Sequence, residues 1–538
     1  MLSKIKTMSL LGLDGYLVEI QTDISNGIPE FEIVGLPDTS VKEAKKRIKA
    51  AIKNSQMDFP SKKILINLAP ANQKKGGTSF DLAIAIGILI AMQKIPKVNF
   101  DELNKTIFIG ELSLDGRING NNGVLPMCIE AKKLGIKRVI LSKENSNEAS
   151  IIDGIDVIPV NNISEVIKYL NNEMKIIREE KNFEKYKIKK YENMDFSEIK
   201  GQEDMKRALE IAAAGAHNCL LIGSPGSGKT MSAKMMNTIL PEKNFNEILE
   251  VAKIHSISGE LKNDEIMTKR PFRMPYHTIT VSSMIGGGKY PKPGEVSLAH
   301  DGVLFLDELP EFKKEVLEAL REPLENHSIS INRLYANYMF PCKFIFVGSM
   351  NPCPCGYEGD IERECKCTES EIRRYLKKIS GPLLDRIDIQ IRTKRVKYDK
   401  LNVNIKNETS AEIRERVVNA RKIQKNRYQE YEINTNSELT LKMIEKYCKI
   451  DEKSQELLNK AFEKLKLSVR AYTKILKVAR TIADLEEKEN IEYKHIAEAI
   501  QYRSLDRKYD NWILWWKISW QFKRNIKTTQ QNICSWQY

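Results

Sequence analysis

No apolar run in the 538 residues is long enough to cross a bilayer; the longest, Leu82 to Met92, has the size of a buried core helix. The start, Met-Leu-Ser-Lys-Ile-Lys, leads into strand-like sequence without the apolar stretch of a signal peptide, so a cytoplasmic location is expected. Cysteine is scarce: nine in so long a chain argue for thiols or metal ligands, not for a disulfide frame. All five tryptophans lie between Trp512 and Trp536, and no internal repeat is visible. What remains is ordinary for a soluble protein, with 29% charged and 41% hydrophobic residues and a length that suits two to four domains. A net charge of +14 points to a polyanionic partner, nucleic acid first, although lysine is abundant throughout and the charge alone does not carry that reading.

Residues 1–170 read as one α/β unit. Tyr16–Thr22 and Glu30–Val34 alternate apolar and polar residues as half-buried strands do, Lys63–Leu68, Thr106–Gly110 and Arg138–Leu141 are further strands, and Phe80–Met92 is a buried helix. Ser40–Asn54 has helical period with an N-cap candidate at its start. Residues 171–194, rich in Lys, Glu and Asn, read as a linker, either a helix or a solvated connection. From 195 to 400 strand and helix signals alternate, which predicts a parallel sheet with helical crossovers; 410–506 reads as all helical. The Trp-rich tail, 507–538, is either a membrane-surface helix or an aberrant terminus such as a shifted reading frame produces. An apolar patch without a partner is a liability, which favours the second.

Residues Gly223-Ser224-Pro225-Gly226-Ser227-Gly228-Lys229-Thr230 fulfil the phosphate-loop pattern G-x-x-x-x-G-K-[ST]. The glycines let successive N–H groups point into one anion-sized hollow, Lys229 can reach the β- and γ-phosphates, and the Thr230 hydroxyl suits Mg²⁺. The alternative is a chance match in a Gly/Ser turn. The flanks weigh against it: Asn218–Ile222 reads as a buried strand and Thr230–Asn237 as a helix whose N-terminus faces the phosphates.

Gly302-Val-Leu-Phe-Leu-Asp307-Glu308 is an apolar strand ending in two acids, with Asp307 assigned to the metal and Glu308 to the attacking water. Alone it would be a strand running into an acidic turn; the phosphate loop gives it meaning. Asn351 follows a second buried strand, Lys343–Met350, where its amide can orient the same water. Arg386, in an acid-flanked segment, is either a salt-bridge partner of Asp385 or Asp388 or a finger reaching a neighbouring subunit's γ-phosphate. Cys353, Cys355, Cys365 and Cys367 form two C-x-C pairs in an insertion, 353–367. Four thiolates could hold a tetrahedral Zn²⁺, but C-x-C strains a single chelate, and four reduced thiols in a turn-rich loop are the alternative.

These motifs, with a helical segment containing Ser468-Val-Arg470, resemble an AAA+ ATPase. The wording of Ser283–Gly288, Pro293–His300, Asp307–Phe312, Asn351–Gly356, Ser380–Asp388 and Ala471–Leu485 is similar to the YifB/ComM family of magnesium-chelatase-like proteins, over roughly residues 5–506. The resemblance implies an α/β fold with a Lon-protease-like (ribosomal S5 domain 2-like) N-terminal domain, an AAA+ core and a C-terminal helical lid. It implies ATP and Mg²⁺ as cofactors, Asn351 as sensor 1, Arg386 as arginine finger, Arg470 as sensor 2, and a hexamer with ATP sites shared between subunits. It also implies a DNA motor of branch-migration type acting on single-stranded or branched DNA; a chelatase-like remodeller of a protein partner, or an aid to metal insertion, is the alternative.

Two loops are candidates for DNA contact by analogy with related helicases: the Gly-rich stretch 282–290 with Lys289, and a hairpin over 326–338 with Arg333 near its tip. Both could equally be solvated connections. In the N-terminal unit Ser79 lies where a Lon nucleophile would be, yet Gly123-Val-Leu-Pro126 lacks the lysine that should follow, and a serine without a base is a weak nucleophile. Proteolysis is not expected.

Overall fold

A computed structural model describes residues 2–503 apart from 178–193, 262–267, 334–335, 361, 394–406 and 466. The Trp-rich tail and most of the linker therefore lie outside the described residues.

The N-terminal unit is a seven-stranded mixed sheet. Its strands are β1 (Leu2–Leu11), β2 (Asp14–Ser25), β3 (Glu30–Val34), β4 (Lys63–Ala69), β5 (Thr106–Ile109), β6 (Arg138–Ser142) and β7 (Asp156–Val160), in the order β3-β4-β2-β1-β5-β6-β7. β1 and β2 pair antiparallel, as do β2 and β4, whereas β1, β5, β6 and β7 run parallel. Helices α1 (Thr39–Asn54) and α2 (Asp81–Ala91) cover one face. Every residue of α2 is buried, which explains its unbroken apolar composition. Its one acid, Asp81, is held by Arg47 at 2.7 Å and by the Leu112 amide. The cap of α1 is Asp38, two residues ahead of the Ser40 start read from the pattern; its carboxylate accepts from the Val41 amide. The same carboxylate accepts from the Tyr290 hydroxyl at 2.8 Å and so ties this unit to the glycine-rich stretch of the next.

The second unit is a five-stranded, all-parallel sheet. In chain order it holds β8 (Cys219–Gly223), β9 (Phe272–Arg273), β10 (Val303–Leu306), β13 (Ile345–Met350) and β14 (Ile389–Thr393), arranged β9-β10-β13-β8-β14. A hairpin, β11 (Ser328–Arg333) with β12 (Ala336–Pro341), precedes β13. β8, β10 and β13 are buried at every residue, so they read as continuous apolar runs. Their side chains divide between two cores: Leu221, Phe305 and Val347 face one, Leu220, Leu304 and Phe346 the other. The first core is continuous with the C-terminal helices α7 (Ser410–Arg427), α8 (Leu441–Tyr447), α9 (Glu452–Leu465), α10 (Val469–Leu485) and α11 (Tyr493–Gln501). Among the described residues no helix is long and apolar enough to cross a membrane.

A buried polar network fastens α10 to the sheet. Asp388, just ahead of β14, receives Lys474 of α10 at 2.7 Å and lies 3.3 Å from His217, whose other ring nitrogen meets Thr481 at 2.7 Å. Burial pushes the Asp388 carboxyl up, but Lys474 and His217 outweigh it and hold the group well below the usual carboxylate range. Removing one member of such a set leaves a charge buried and unpaired. Lys474→Met is therefore expected to destabilise the protein by about 3–5 kcal/mol in denaturant unfolding. Because the folded pKa of Asp388 is depressed, this contribution is present above the ordinary aspartate range, while Lys474 stays charged, and is lost as pH falls below that range. A Lys474→Met protein as stable as wild type at pH 7 would contradict this account.

Candidate active site

Three strand ends and one loop build the site. Because β8, β10, β13 and β14 are parallel, their C-terminal ends share one edge of the sheet. The phosphate loop leaves β8 there and enters α5 (Lys229–Ile239). Gly226 and Gly228 have φ of +77° and +82°, a backbone region that residues with a Cβ rarely enter, and the loop needs both to turn its amides inward.

Lys229 is buried and its amine donates to the Gly223 carbonyl at 2.6 Å, the Ser224 carbonyl at 3.1 Å and Asn351 Oδ1 at 3.3 Å. It thus spans the loop and reaches the end of β13, with no carboxylate in direct contact among the described residues. Burial lowers its pKa to about 8, against the pull of Asp307 and Glu308. Thr230 Oγ1 donates to Asp307 Oδ2 at 2.7 Å. Asp307 Oδ1 accepts from the Ser349 hydroxyl and from the Glu308 amide at 3.1 Å. One carboxylate therefore joins the loop helix, β10 and β13. Glu308 is exposed beside it with φ +53°, a left-handed conformation that is uncommon outside glycine and that tends to persist at functional sites.

The donor set fits a nucleoside triphosphate with Mg²⁺. An amine satisfied only by neutral oxygens can turn to phosphate, and a threonine hydroxyl already lies on an aspartate at the distance expected between neighbouring metal ligands. Lys229, Thr230, Asp307, Glu308 and Asn351 are brought together. Ser349 is a member that the pattern reading missed; its place as the second-last residue of a buried strand, two before Asn351, was the available signal.

Arg386 and Arg470 are placed elsewhere. Arg386 precedes β14 at the N-terminal edge of the sheet, where its carbonyl accepts from Asn218. That edge is separated from the phosphate loop by a strand length, on the order of 15 Å. Its guanidinium donates to the Arg321 and Pro382 carbonyls and pairs with Glu325, not with Asp385 or Asp388 as the local sequence suggested. Asp385 instead pairs with Arg470 at 3.3 Å, so the two arginines flank one short segment. Arg470 is largely exposed and is not a contact of this chain's own phosphate loop among the described interactions.

The four cysteines converge. Their sulfur atoms all lie within 4.8 Å of one another, with Cys353, Cys355 and Cys365 separated by 3.3–3.6 Å. A tetrahedron with arms of ~2.3 Å has edges of roughly 3.8 Å, so the C-x-C spacing that would strain a chelate is accommodated by the fold of the insertion.

The two candidate loops also meet. Residues 282–290 are not one open loop: Val281–Ile285 is a short helix, and Gly286–Gly287 pairs with Lys292–Pro293 as a small hairpin whose turn exposes Lys289. Arg333, exposed at the end of β11, donates from Nε to the Gly288 carbonyl at 3.2 Å. In the N-terminal unit Ser79 is buried, and Gly123–Pro126 opens a helix, Val124–Lys133, with no lysine at its start.

Comparison with known proteins agrees with this architecture. The family described as "Magnesium chelatase, subunit ChlI" matches residues 195–401, its C-terminal part matches 407–503, and "Subunit ChlI of Mg-chelatase" matches 20–145. The chain is 42% identical to the "Competence protein ComM" of Haemophilus influenzae over 505 residues, 92% of this chain and 96% of that one. It is 39% identical to the "Uncharacterized protein YifB" of Escherichia coli over 508 residues, 94% of this chain and 98% of that one. A shorter likeness, 32% over 171 residues, links 28% of the chain to 30% of Lon protease 2 of Bacillus subtilis.

The lowered pKa of Lys229 has a measurable consequence. Phosphate binding favours the charged amine, so nucleotide affinity should hold below pH 8 and fall as pH rises through about 8, where the free site loses its proton. Titration of a fluorescent ADP analogue between pH 6.5 and 9.5, at roughly unit steps, reads this directly. Lys229→Arg, which stays charged, should flatten the profile; an equally steep fall in that variant would refute the assignment to Lys229.

Proposed function

The chain belongs to the YifB/ComM family of magnesium-chelatase-like AAA+ ATPases, and from that premise we propose that it is an ATP-driven DNA motor, a branch-migration helicase serving recombination or natural transformation. The observation that carries the DNA part is the meeting of the two loops. Lys289 and Arg333 present two cations on one exposed surface, held together by the Arg333–Gly288 contact. Cations displayed on hairpin turns suit sequence-independent contact with a phosphate backbone. Natural transformation is supported by the likeness to the Haemophilus relative, a competence protein.

In the hydrolytic step Lys229 holds the β- and γ-phosphates, and Thr230 and Asp307 hold the metal, which when bound neutralises charge on the phosphate oxygens. Glu308 accepts the proton of the attacking water, and Asn351 keeps that water in line. Arg386 precedes a strand at the opposite edge of the sheet, which favours its action as a finger on a neighbour's nucleotide, with Arg470 of the helical lid as sensor 2. That arrangement asks for a closed ring, a hexamer by family resemblance, working in the cytoplasm. We also propose that Cys353, Cys355, Cys365 and Cys367 hold a structural Zn²⁺.

Five outcomes check the reading. Glu308→Gln should bind ATP and lower turnover by about 10²-fold or more. Subunits carrying Arg386→Ala and Lys229→Ala, each inactive alone, should recover hydrolysis when mixed in confirmed hetero-rings; no recovery at any ratio would refute action across the interface. Protein prepared without chelator should carry about one zinc per chain by elemental analysis. Single-stranded DNA or a four-way junction should stimulate hydrolysis, bind with steep salt dependence, and in the junction case be migrated into duplex arms only with ATP and Mg²⁺. Lys289→Ala and Arg333→Ala should reduce the salt slope by about 0.7–0.9 for each phosphate no longer neutralised, and reduce stimulation more than DNA-free turnover. Hydrolysis indifferent to every DNA form, in an assembled ring, would replace the motor by a chelatase-like remodeller of a protein partner.

A further inference from the structure

The cysteine insertion is built directly onto the phosphate loop. It begins two residues after Asn351, and three contacts press it against the nucleotide site. The Asp360 carboxylate accepts a 2.6 Å hydrogen bond from the hydroxyl of Ser224, which is buried. Gly356, with φ +86°, lies so close to Pro225 that a Cβ there would come within 2.7 Å of the proline ring. Glu358 pairs at 3.0 Å with Arg392 of β14. The residue after Arg392, Thr393, donates to the Ile222 carbonyl and lies 3.1 Å from the Ser227 hydroxyl. Two x positions of the phosphate loop and the strand beside it are thus held by a segment that has no part in the phosphate-loop pattern.

That segment, residues 356–364, is the nine-residue loop between Cys355 and Cys365. Its own order is local and modest. Asp360 Oδ1 accepts from the Glu362 and Arg363 amides at 2.9 and 3.3 Å, and Arg363 stacks on and donates to Tyr357. Among the described residues no hydrophobic core cluster includes any of this loop; Cys353, outside it, is the buried end of the insertion. A short polar loop without a core takes its shape from what ties its ends together. Here those ties are the four convergent thiols.

We propose that the metal-loaded cysteine insertion preorganises the phosphate loop for nucleotide, with Asp360 as the positioning residue that carries the order of the Cys₄ site to Ser224. This rests on the zinc reading above. Ser224 is held twice: its hydroxyl by Asp360, and its carbonyl by Lys229. A loop fixed in the absence of ligand does not have to be ordered at binding, so the contact strengthens nucleotide affinity without touching a phosphate. Stripping the metal frees residues 356–364, loosens Asp360 and transfers that ordering cost to the binding step.

The test is a double-mutant cycle on the full-length protein, with the dissociation constant of a fluorescent ADP analogue and zinc content as readouts beside turnover. Asp360→Ala should keep its zinc and weaken nucleotide binding by about tenfold, the loss of one hydrogen bond to a charged group. KM for ATP should rise more than kcat falls. Asp360→Asn, which keeps a carbonyl oxygen facing Ser224, should recover most of the affinity. Adding Ser224→Ala to Asp360→Ala should cost little more than either alone. Removing zinc from wild type with a chelator should reproduce the loss, and removing it from Asp360→Ala should add little. Additive effects in the cycle, or zinc removal that leaves affinity unchanged, would overturn the coupling while the zinc site itself stands. Absence of zinc from the native protein would instead remove the metal half, and the Asp360–Ser224 cycle would then decide whether the loop is positioned by the thiol cluster alone. A contact that only stabilises the fold would lower the melting temperature and kcat together and show no rescue by Asp360→Asn.

Discussion

The ATPase unit depends on one constraint: strands buried on both faces can carry polar chemistry only at their ends. β8, β10 and β13 are buried throughout and parallel, so whatever follows each strand arrives at the same edge. The phosphate loop, Asp307 with Glu308, and Asn351 are three such endings, and their convergence follows from the register. Asp307 then acts as the keystone, receiving Thr230 from the loop helix on one oxygen and Ser349 from the adjacent strand on the other. The opposite edge collects the residues that precede strands, which is why Arg386 cannot meet the phosphate loop of its own chain.

The helical C-terminal portion shares its core with one face of the sheet, so its position relative to the nucleotide edge is fixed by packing as well as by the Asp388 set. Thr481 and Asp484 extend that set to Asn436 and Arg427, which links α7, α10 and the segment ahead of α8 into one polar layer under the apolar one. Buried ionic groups of this kind add little net stability compared with apolar packing, but each is costly to orphan, and they define one relative placement of the helices. Arg470, at the first turn of α10, inherits its place near Asp385 from that layer.

What could be read from the sequence was whatever is local in it. The phosphate loop, the two acids and Asn351 are short patterns at the ends of apolar runs, and the fold brings them to one edge of the sheet. The buried helix Asp81–Ala91 followed from composition. The family was legible too, from wording spread along nearly the whole chain. What was not legible is non-local. The partner of Arg386 is Glu325, sixty-one positions away, and local acids were the wrong candidates. Ser224 and Asp360 are 136 positions apart, and nothing in either neighbourhood announces the other. The C-x-C pairs were ambiguous because spacing alone does not show whether a loop folds back to bring four sulfur atoms together. The start of α1 was misplaced because Asp38, Thr39 and Ser40 are all competent caps, and only the backbone decides among them.

Asp38 carries a consequence of its own. One carboxylate ends the first helix of the N-terminal unit and receives the hydroxyl of Tyr290, which neighbours the exposed Lys289. The two units are therefore mechanically in series at this point. A pull on the Gly288–Lys289 turn is delivered through a phenol to a helix terminus, while elsewhere the units are joined by Ala252 in the N-terminal core and by the Ser256–Glu148 contact. The linkage yields at a single charge-assisted hydrogen bond worth about 1.5–3 kcal/mol, far weaker than either sheet. Losing that bond frees the turn from Asp38 while the apolar contact between the two units remains.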